Sequence, residues 1–213
     1  MAGLVWVTVN KDMDSKTDAR IQAPDGVDPT RLHRLGVDAD RVTEIVARAQ
    51  KELDQGPLPS VQLAAARDGE LLFSITLGDA QADSRYCTYS CIKPVVSSMV
   101  WILLDSGELK LDAPICRYLP EFGSNGKEVV TLEQVLCHTA GFPHAPMGPR
   151  HWWNSPSRRQ RMSEWRLNWE PGTRFEYHAT SAHWVLVELV QEILQVDFRH
   201  ALRRLVQIGR AHV

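Results

Sequence analysis

The chain has 213 residues, 44% hydrophobic and 23% charged, a balance typical of a globular protein with a substantial core. Its 24 basic and 26 acidic side chains leave a formal net charge of −2, which argues against a protein that mainly coats nucleic acid or an anionic membrane. No apolar run approaches the roughly 20 residues of a membrane-spanning helix, and the opening residues lack the basic segment of a signal peptide. We therefore expect a cytoplasmic protein that binds neither nucleic acid nor membrane, with its four cysteines as free thiols.

The N-terminal segment predicts an irregular stretch followed by a helix. Residues 1–35 show no sustained hydrophobic periodicity, so we expect an irregular leader there, with a short strand at 4–9. Asp38 or Asp40 can cap a helix that runs to about Leu53, because apolar residues recur every three to four positions beyond them.

A β-hairpin is the next predicted element. Two short apolar-rich runs, 60–67 and 70–77, are separated only by Asp68-Gly69. Both positions of a tight hairpin turn need positive φ, which Asp and Gly adopt readily, so this pattern predicts two antiparallel strands.

Beyond residue 90 the hydrophobic period becomes that of helices. We predict helices over about 95–106, over 131–138 behind a Thr-x-x-Gln capping box, and over 180–195. Strands that precede a run of helices, rather than alternate with them, indicate an α+β fold with a partial antiparallel sheet and a helical region.

Ser90-Cys91-Ile92-Lys93 is a Ser-x-x-Lys motif that could carry nucleophilic chemistry. On a helix this spacing places the hydroxyl and the ammonium on one face. A serine becomes an effective nucleophile only when another group takes its proton, and a lysine of lowered pKa can do so. Pro94 favours the first turn of a helix here, whereas a helix-start serine with a surface lysine is the alternative interpretation.

Three further blocks follow in order and with regular spacing: GELKLDAPICRYLP at 107–120, TLEQVLCHTAGFP at 131–143 and PGTRFEYHA at 171–179. Together with Ser-x-x-Lys they resemble the β-lactamase-related serine hydrolases, which include class C β-lactamases, DD-peptidases and β-lactamase-like esterases. The resemblance covers roughly residues 60–207. Several blocks in register are far more specific than one tetrapeptide.

This resemblance implies the fold of the β-lactamases and penicillin-binding proteins and an acyl-serine mechanism without a cofactor. By matching positions, Ser90 corresponds to the acylated nucleophile and Lys93 to its proton acceptor. Tyr177 corresponds to a tyrosine that shares general-base work and later protonates the leaving group. A nearby ammonium favours the phenolate of such a tyrosine, whose pKa is ordinarily near 10. Without the flanking blocks, Tyr177 would read as a half-buried core residue.

Two positions depart from the family pattern. Ile92 stands where the family usually has Thr or Ser before the lysine, and Ala179 stands where it usually has asparagine. In the β-lactamases that amide is implicated in holding the acylamino side chain of the substrate. The departure at Ala179 favours cleavage of an ester over that of a β-lactam.

A substrate pocket is expected around the tyrosine block and the tryptophan-rich segment. We expect His178, Ala179, Trp152 and Trp153 to line it, with the tryptophan and arginine cluster at 152–161 forming a helical lid over an apolar pocket. His178 could instead be a bystander beside Tyr177. Basic residues beside the two tryptophans could instead indicate an RNA-stacking surface, which the net negative charge disfavours. The histidine and cysteine spacings match no zinc pattern, so we expect no metal site.

The extent of the hydrolase domain is a separate prediction. We expect residues 36–207 to be the N-terminal part of a longer domain, because a late Lys/His-Thr/Ser-Gly strand of the family does not follow Tyr177. Residues 208–213 break the preceding amphipathic pattern and match the translation of a sequencing-library adapter, so we expect a non-native tail. A truncated chain would have weak activity or none.

The expected function is cleavage of a small-molecule ester by a serine hydrolase. The alternatives are β-lactamase or D-alanyl-D-alanine peptidase activity, which would use the same three residues on an amide. A non-catalytic protein that keeps the fold and a ligand-binding cleft is a further alternative, which differs by having no acyl-serine.

Overall fold

The computed structural model describes residues 22–25 and 27–210. The strand expected at 4–9 and the end of the expected tail, 211–213, lie outside the described residues. The chain forms two compact units that meet in sequence between Tyr89 and Ser90.

The first unit contains a three-stranded antiparallel sheet. Its strands are β1, Gln22–Asp25, β2, Ser60–Arg67, and β3, Glu70–Gly78, in the order β1-β3-β2. Asp68 and Gly69 have φ values of 52° and 83°, as the two central positions of a tight hairpin turn require. The predicted hairpin is therefore confirmed, and β1 adds a third strand that was not predicted from the sequence.

Two helices accompany this sheet. Helix α1 spans Pro29–Arg34, and helix α2 spans Ala39–Gln55 with the Asp38 carboxylate accepting hydrogen bonds from two backbone N–H groups of its first turn. The helix predicted behind Asp38 is confirmed, whereas β1 and α1 lie in the stretch expected to be irregular. The missed elements are only four and six residues long, too short to establish a hydrophobic period.

The core of the first unit lies between the two helices and the sheet. A hairpin alone is marginally stable, and a helix that covers one face supplies the missing burial. The buried members of this core are Leu32, Val42, Ala49, Val61, Leu63, Leu72, Phe73, Ile75 and Leu77.

The second unit is helical. Its helices are α3, Lys93–Asp105, α4, Leu132–Leu136, α5, Ser155–Ser163, α6, Ser181–Leu194, and α7, Phe198–Arg210. The helices predicted near 95–106 and 180–195 are confirmed. The capping box is present, because Thr131 and Gln134 exchange side-chain to backbone hydrogen bonds, although α4 is only five residues long.

A second core joins these helices, with α3 packed against α6. Their buried residues include Val96, Met99, Val100, Leu103, Ala182, Val185, Leu186, Leu189 and Val190. Burial of a large aliphatic side chain contributes about 1.5–3 kcal/mol. This contact therefore fixes α3, the helix that begins at Lys93 directly after the turn containing Ser90.

Helix α7 continues through Arg210, into the first residues of the expected tail at 208–213. The boundary of that tail stays a prediction. Among the helices in the described part of the chain, none is long and apolar enough to cross a membrane.

Candidate active site

Ser90 and Lys93 are brought together by local backbone geometry. Ser90 lies in a single turn of 3₁₀ helix, Tyr89–Ile92, that runs directly into α3 at Lys93. In a 3₁₀ turn the side chains at i and i+3 eclipse each other, so the lysine lies over the serine. The Lys93 ammonium donates a hydrogen bond to Ser90 Oγ with an Nζ–Oγ distance of 3.0 Å.

Pro94 occupies the first turn of α3, where its missing N–H removes no intrahelical hydrogen bond. Lys93 is the first helical residue despite preceding a proline. Ile92 occupies the N-cap position of α3, and no capping hydrogen bond from a side chain is present there among the described residues.

The residue before the nucleophile candidate has a strained backbone. Tyr89 has φ of +42° although it carries a Cβ, and its side chain is 79% exposed. For an L-residue this left-handed conformation costs about 1–2 kcal/mol. No sequence signal singles out Tyr89, because the strain depends on the path of the turn into α3.

Tyr177 completes the cluster from a distant part of the chain. Its hydroxyl donates to Ser90 Oγ with an O–O distance of 2.9 Å, and Lys93 Nζ lies 5.2 Å from the centre of the phenol ring. Partial burial raises the pKa of Tyr177, but hydrogen bonding and charge from Lys93, with the Ser90 hydroxyl, lower it by more. The net effect is a pKa below the ordinary value for tyrosine, which favours the phenolate.

The backbone around Tyr177 is held by His138, the histidine of the second resemblance block. The N–H of Glu176 donates to the His138 carbonyl oxygen at 3.2 Å, and the N–H of His178 donates to His138 Nδ1, also at 3.2 Å. These bonds flank the tyrosine on both sides, although the segment 174–178 is neither helix nor strand.

His178 is fully buried, so the expectation that it lines the substrate pocket is not supported. Its Nε2 accepts a hydrogen bond from the N–H of Phe142 at 3.0 Å, and its Nδ1 donates to the Glu176 carbonyl oxygen at 2.6 Å. Both ring nitrogens are therefore used in a neutral tautomer. His178 links the tyrosine segment to the loop after α4.

The remaining pocket residues expected from the sequence do not join the cluster. Ala179 is exposed two positions after Tyr177. Trp152 donates from Nε1 to the Met147 carbonyl oxygen at 2.8 Å and stacks on Trp184, with ring centres 6.3 Å apart. Trp153 lies under the guanidinium of Arg199. In the described part of the chain, no hydrogen bond or ring contact joins either tryptophan to Ser90, Lys93 or Tyr177.

The segment expected to form a lid is fixed to the core. On α5, Arg158 is buried and pairs with Glu188 of α6, which is fully buried. Arg159 pairs with Glu188 at 3.0 Å and with Glu192 at 2.6 Å. Arg158 and Arg159 thus bind carboxylates of α6, whereas Arg161 pairs with Glu164 just after α5. These ion pairs argue against an RNA-stacking surface and a separable lid.

Two further histidines lie near the cluster and are neutral at ordinary pH. Burial, and next the charge of the nearby Lys93, together lower the pKa of His183 to about 4. Burial is also the main cause of the lowered pKa of His138, followed by the charges of His178 and Lys93. Within the described residues, no group of three or more His, Cys, Asp and Glu side chains could hold a metal ion.

Comparisons with known proteins give matches in both sequence and structure. A family model described as Beta-lactamase matches residues 42–207. Esterase EstB of Burkholderia gladioli is 40% identical over 88 residues, which are 36% of this chain and 22% of that protein. Esterase/beta-lactamase LipL of Mycobacterium tuberculosis is 32% identical over 87 residues, covering 37% of this chain and 20% of that protein.

Among solved structures, EstA from Arthrobacter nitroguajacolicus matches with a TM-score of 0.69 at 29% identity, over 78% of this chain and 44% of that one. The expected α+β fold of β-lactamases and penicillin-binding proteins is therefore confirmed. The matched region spans only about a fifth of each curated relative.

Proposed function

Since the chain belongs to the beta-lactamase family, we propose that it is a serine hydrolase that cleaves a small-molecule ester through an acyl-serine intermediate. The observation that supports this most strongly is the convergence of two proton-carrying groups on one hydroxyl. Ser90 Oγ lies 3.0 Å from the Lys93 nitrogen and 2.9 Å from the Tyr177 oxygen, although 87 positions separate the serine from the tyrosine.

In the acylation step, Ser90 Oγ bonds to the carbonyl carbon of the ester, and its proton passes to the ionised oxygen of Tyr177. The 2.9 Å separation of the two oxygens suits a hydrogen bond in either direction, so the phenol donates when neutral and accepts when ionised. Proton transfer by a positioned side chain contributes roughly a 10²–10⁴-fold rate increase.

The tetrahedral intermediate then loses its alkoxide. The C–O bond to the leaving group breaks, and the Tyr177 hydroxyl protonates the departing oxygen. In the second half of the reaction, Tyr177 takes a proton from water while that water attacks the acyl carbon and Ser90 leaves with the proton. Lys93 keeps its positive charge beside the phenolate throughout, which is the physical reason that tyrosine can act as a base near neutral pH.

Ester cleavage is preferred over β-lactam cleavage because of Ala179. A methyl group at this exposed position offers no amide to hold an acylamino side chain. EstB is named an esterase and LipL an esterase/beta-lactamase, so ester cleavage is common to both names. β-Lactam hydrolysis is the second candidate, which the description of the family model and the name of LipL favour.

The test is a burst experiment with a p-nitrophenyl ester of a short acyl chain. We expect up to one equivalent of p-nitrophenol per chain, and mass spectrometry should place the acyl group on the peptide that contains Ser90. Because the acyl-serine is counted per chain, this measurement does not depend on rapid turnover. Ser90→Ala should remove both the burst and the adduct.

The matched control is Ser98→Ala on α3, because Ser98 Oγ only donates to the Pro94 carbonyl oxygen within that helix. This variant should acylate like the parent. A burst that persists in Ser90→Ala, or an adduct on another residue, would refute the proposed nucleophile. Nitrocefin under the same conditions tests the second candidate.

A further inference from the structure

We propose that His138 is a positioning residue that holds Tyr177 at Ser90. It does so by presenting two hydrogen-bond acceptors to the backbone on either side of that tyrosine. The kinetic consequence of this proposal rests on the proposed function, but its structural content does not.

The two acceptors of His138 bind the backbone N–H groups of the residues before and after Tyr177. The carbonyl oxygen accepts from the N–H of Glu176, and the ring Nδ1 accepts from the N–H of His178, each over 3.2 Å. The imidazole ring also packs against the phenol, with ring centres 4.9 Å apart. Between them these contacts restrict the position and the tilt of the Tyr177 ring.

The backbone conformation of His138 explains how one residue supplies both acceptors. Its φ is +60°, so the chain reverses immediately after α4, and the ring and the carbonyl group reach the same segment. The neighbouring bond from the N–H of Thr139 to the Gln134 carbonyl oxygen, at 2.9 Å, ties this reversal to the capped helix. The position of His138, and with it that of the two acceptors that bind the Tyr177 segment, is therefore fixed by α4.

The ring can accept this hydrogen bond only when Nδ1 carries no proton. The titratable groups around it are Lys93 on α3, His183 on α6, and Tyr177 and His178 on the segment it holds. None of the four carries a negative charge while the phenol is neutral, and the carboxylate of the neighbouring Glu176 is paired with Arg174 at 2.9 Å. The charge of Lys93 therefore favours the unprotonated imidazole. Burial acts in the same direction.

The test compares two variants that tolerate the left-handed backbone equally well. Glycine and asparagine both adopt positive φ, so neither His138→Gly nor His138→Asn adds strain there. Asparagine supplies a side-chain oxygen close to the position of Nδ1, whereas glycine supplies no acceptor. The pair therefore isolates the hydrogen bond to the His178 N–H from the backbone conformation.

The readout independent of catalysis is the ionisation of Tyr177, followed by the ultraviolet absorbance of phenolate. The chain has four tyrosines, and subtraction of the Tyr177→Phe titration isolates the one of interest. In the parent, Tyr177 should ionise below the ordinary range for tyrosine. In His138→Gly the phenol should leave Lys93 and ionise at a higher pH, whereas in His138→Asn it should ionise as in the parent.

The kinetic readout is the rate of the p-nitrophenol burst. We expect it to fall about 10–100-fold in His138→Gly, as for other small displacements of a reacting group, and to recover to within a few-fold in His138→Asn. An unchanged Tyr177 titration in His138→Gly would overturn the proposal. If that variant does not fold, His138→Asn decides alone, because loss of the low-pH phenolate in it would also overturn the proposal.

Different results would contradict the proposed hydrolase function but not the positioning role of His138. If the parent chain shows no burst while the Tyr177 titration shifts in His138→Gly and is restored in His138→Asn, the positioning proposal stands and the hydrolase proposal falls.

Discussion

The second unit contains two clusters of ionisable side chains that are built on opposite principles. Around Glu188, every charge is paired with an opposite one: Arg158 and Arg159 both bind its carboxylate, and Arg159 also binds Glu192. Around Ser90, Lys93 is the cation of a trio whose other members are a serine hydroxyl and a tyrosine phenol, and it forms no salt bridge among the described residues. The buried ion pairs around Glu188 hold α5 against α6. The charge of Lys93 instead acts on the Tyr177 phenol and the Ser90 hydroxyl.

The two clusters also differ in backbone strain, which is found beside Ser90 and Tyr177 but not around Glu188. The described residues include five non-glycine residues with positive φ, among them Tyr89 and His138. One precedes Ser90 and the other holds the Tyr177 segment. The members of the Glu188 cluster lie within regular helices. Strained residues persist where the surrounding structure determines them, and they concentrate at functional sites.

The largest expected effect on chemistry follows removal of the lone cation. Lys93→Met should slow acylation by roughly 10²–10⁴-fold, because the Tyr177 pKa loses the charge that lowers it. The free energy of unfolding should change by less than about 1 kcal/mol, since the side chain is only partly buried. Burst kinetics and urea denaturation measure the two quantities. Lys110→Met, at an exposed lysine of the same unit, is the control and should alter neither.

The Glu188 cluster should show the reverse pattern. Glu188→Gln should lower the free energy of unfolding by about 3–5 kcal/mol, because it leaves two guanidinium groups without their buried counter-charge. Urea denaturation measures this loss. The exposed pair of Arg41 and Glu44 provides a matched control, and Glu44→Gln should cost under about 0.5 kcal/mol. Equal losses in the two variants would remove the distinction between the clusters.

The contrast also explains what the sequence could predict. Ser90 and Lys93 are three positions apart, so a periodicity argument alone brings them together. Tyr177 could be placed only through the resemblance of whole blocks, because no local rule relates residues 87 positions apart. The hairpin was predictable because Asp68-Gly69 specifies its own turn.

The predicted pocket residues show what local composition does not reveal. The tryptophans and arginines of 152–161 resembled a pocket or a binding surface because their partners, Glu188 and Trp184, lie on α6 and are invisible in local composition. His178 was assigned to the pocket from its position beside Tyr177, yet its ring bonds to Phe142 and Glu176 inside the unit. Sequence neighbours in an extended segment face opposite sides, so adjacency to a site residue does not imply a shared surface.

Lys127 provides a third case beside the two clusters, because it is a buried cation that forms no salt bridge within the described part of the chain. Its ammonium donates to the Ser124 and Trp165 carbonyl oxygens and to the Ser124 hydroxyl. Removal of these donors in Lys127→Met should lower the free energy of unfolding by about 1–3 kcal/mol at neutral pH.

The pH dependence of Lys127 has a definite sign. Burial lowers its pKa from 10.5 to about 8, so between these values the unfolded chain binds more protons than the folded protein. The stability of the parent relative to Lys127→Met should therefore rise from pH 8 to pH 10.5. Urea denaturation of both proteins across this range measures the difference, and a difference that falls with pH would contradict the lowered pKa.

The smallest expected effect concerns the strain before Ser90. Alanine ordinarily stabilises a protein relative to glycine by about 0.5–1 kcal/mol, through the entropy of the unfolded chain. At φ of +42° this order should reverse, because the Cβ of alanine keeps the left-handed strain that glycine lacks. Tyr89→Gly should therefore be more stable than Tyr89→Ala by up to about 1 kcal/mol.

The same two variants test whether the backbone strain at Tyr89 increases the rate of acylation at Ser90. Both variants lose the exposed phenol ring equally, so a difference in burst rate between them reflects the backbone alone. We expect Tyr89→Gly to acylate a few-fold more slowly than Tyr89→Ala, because a freer turn holds the hydroxyl less firmly against Lys93 and Tyr177. If Tyr89→Gly is less stable than Tyr89→Ala and acylates at the same rate, then the backbone of Tyr89 is unstrained. The two clusters would then differ in charge pairing but not in backbone strain.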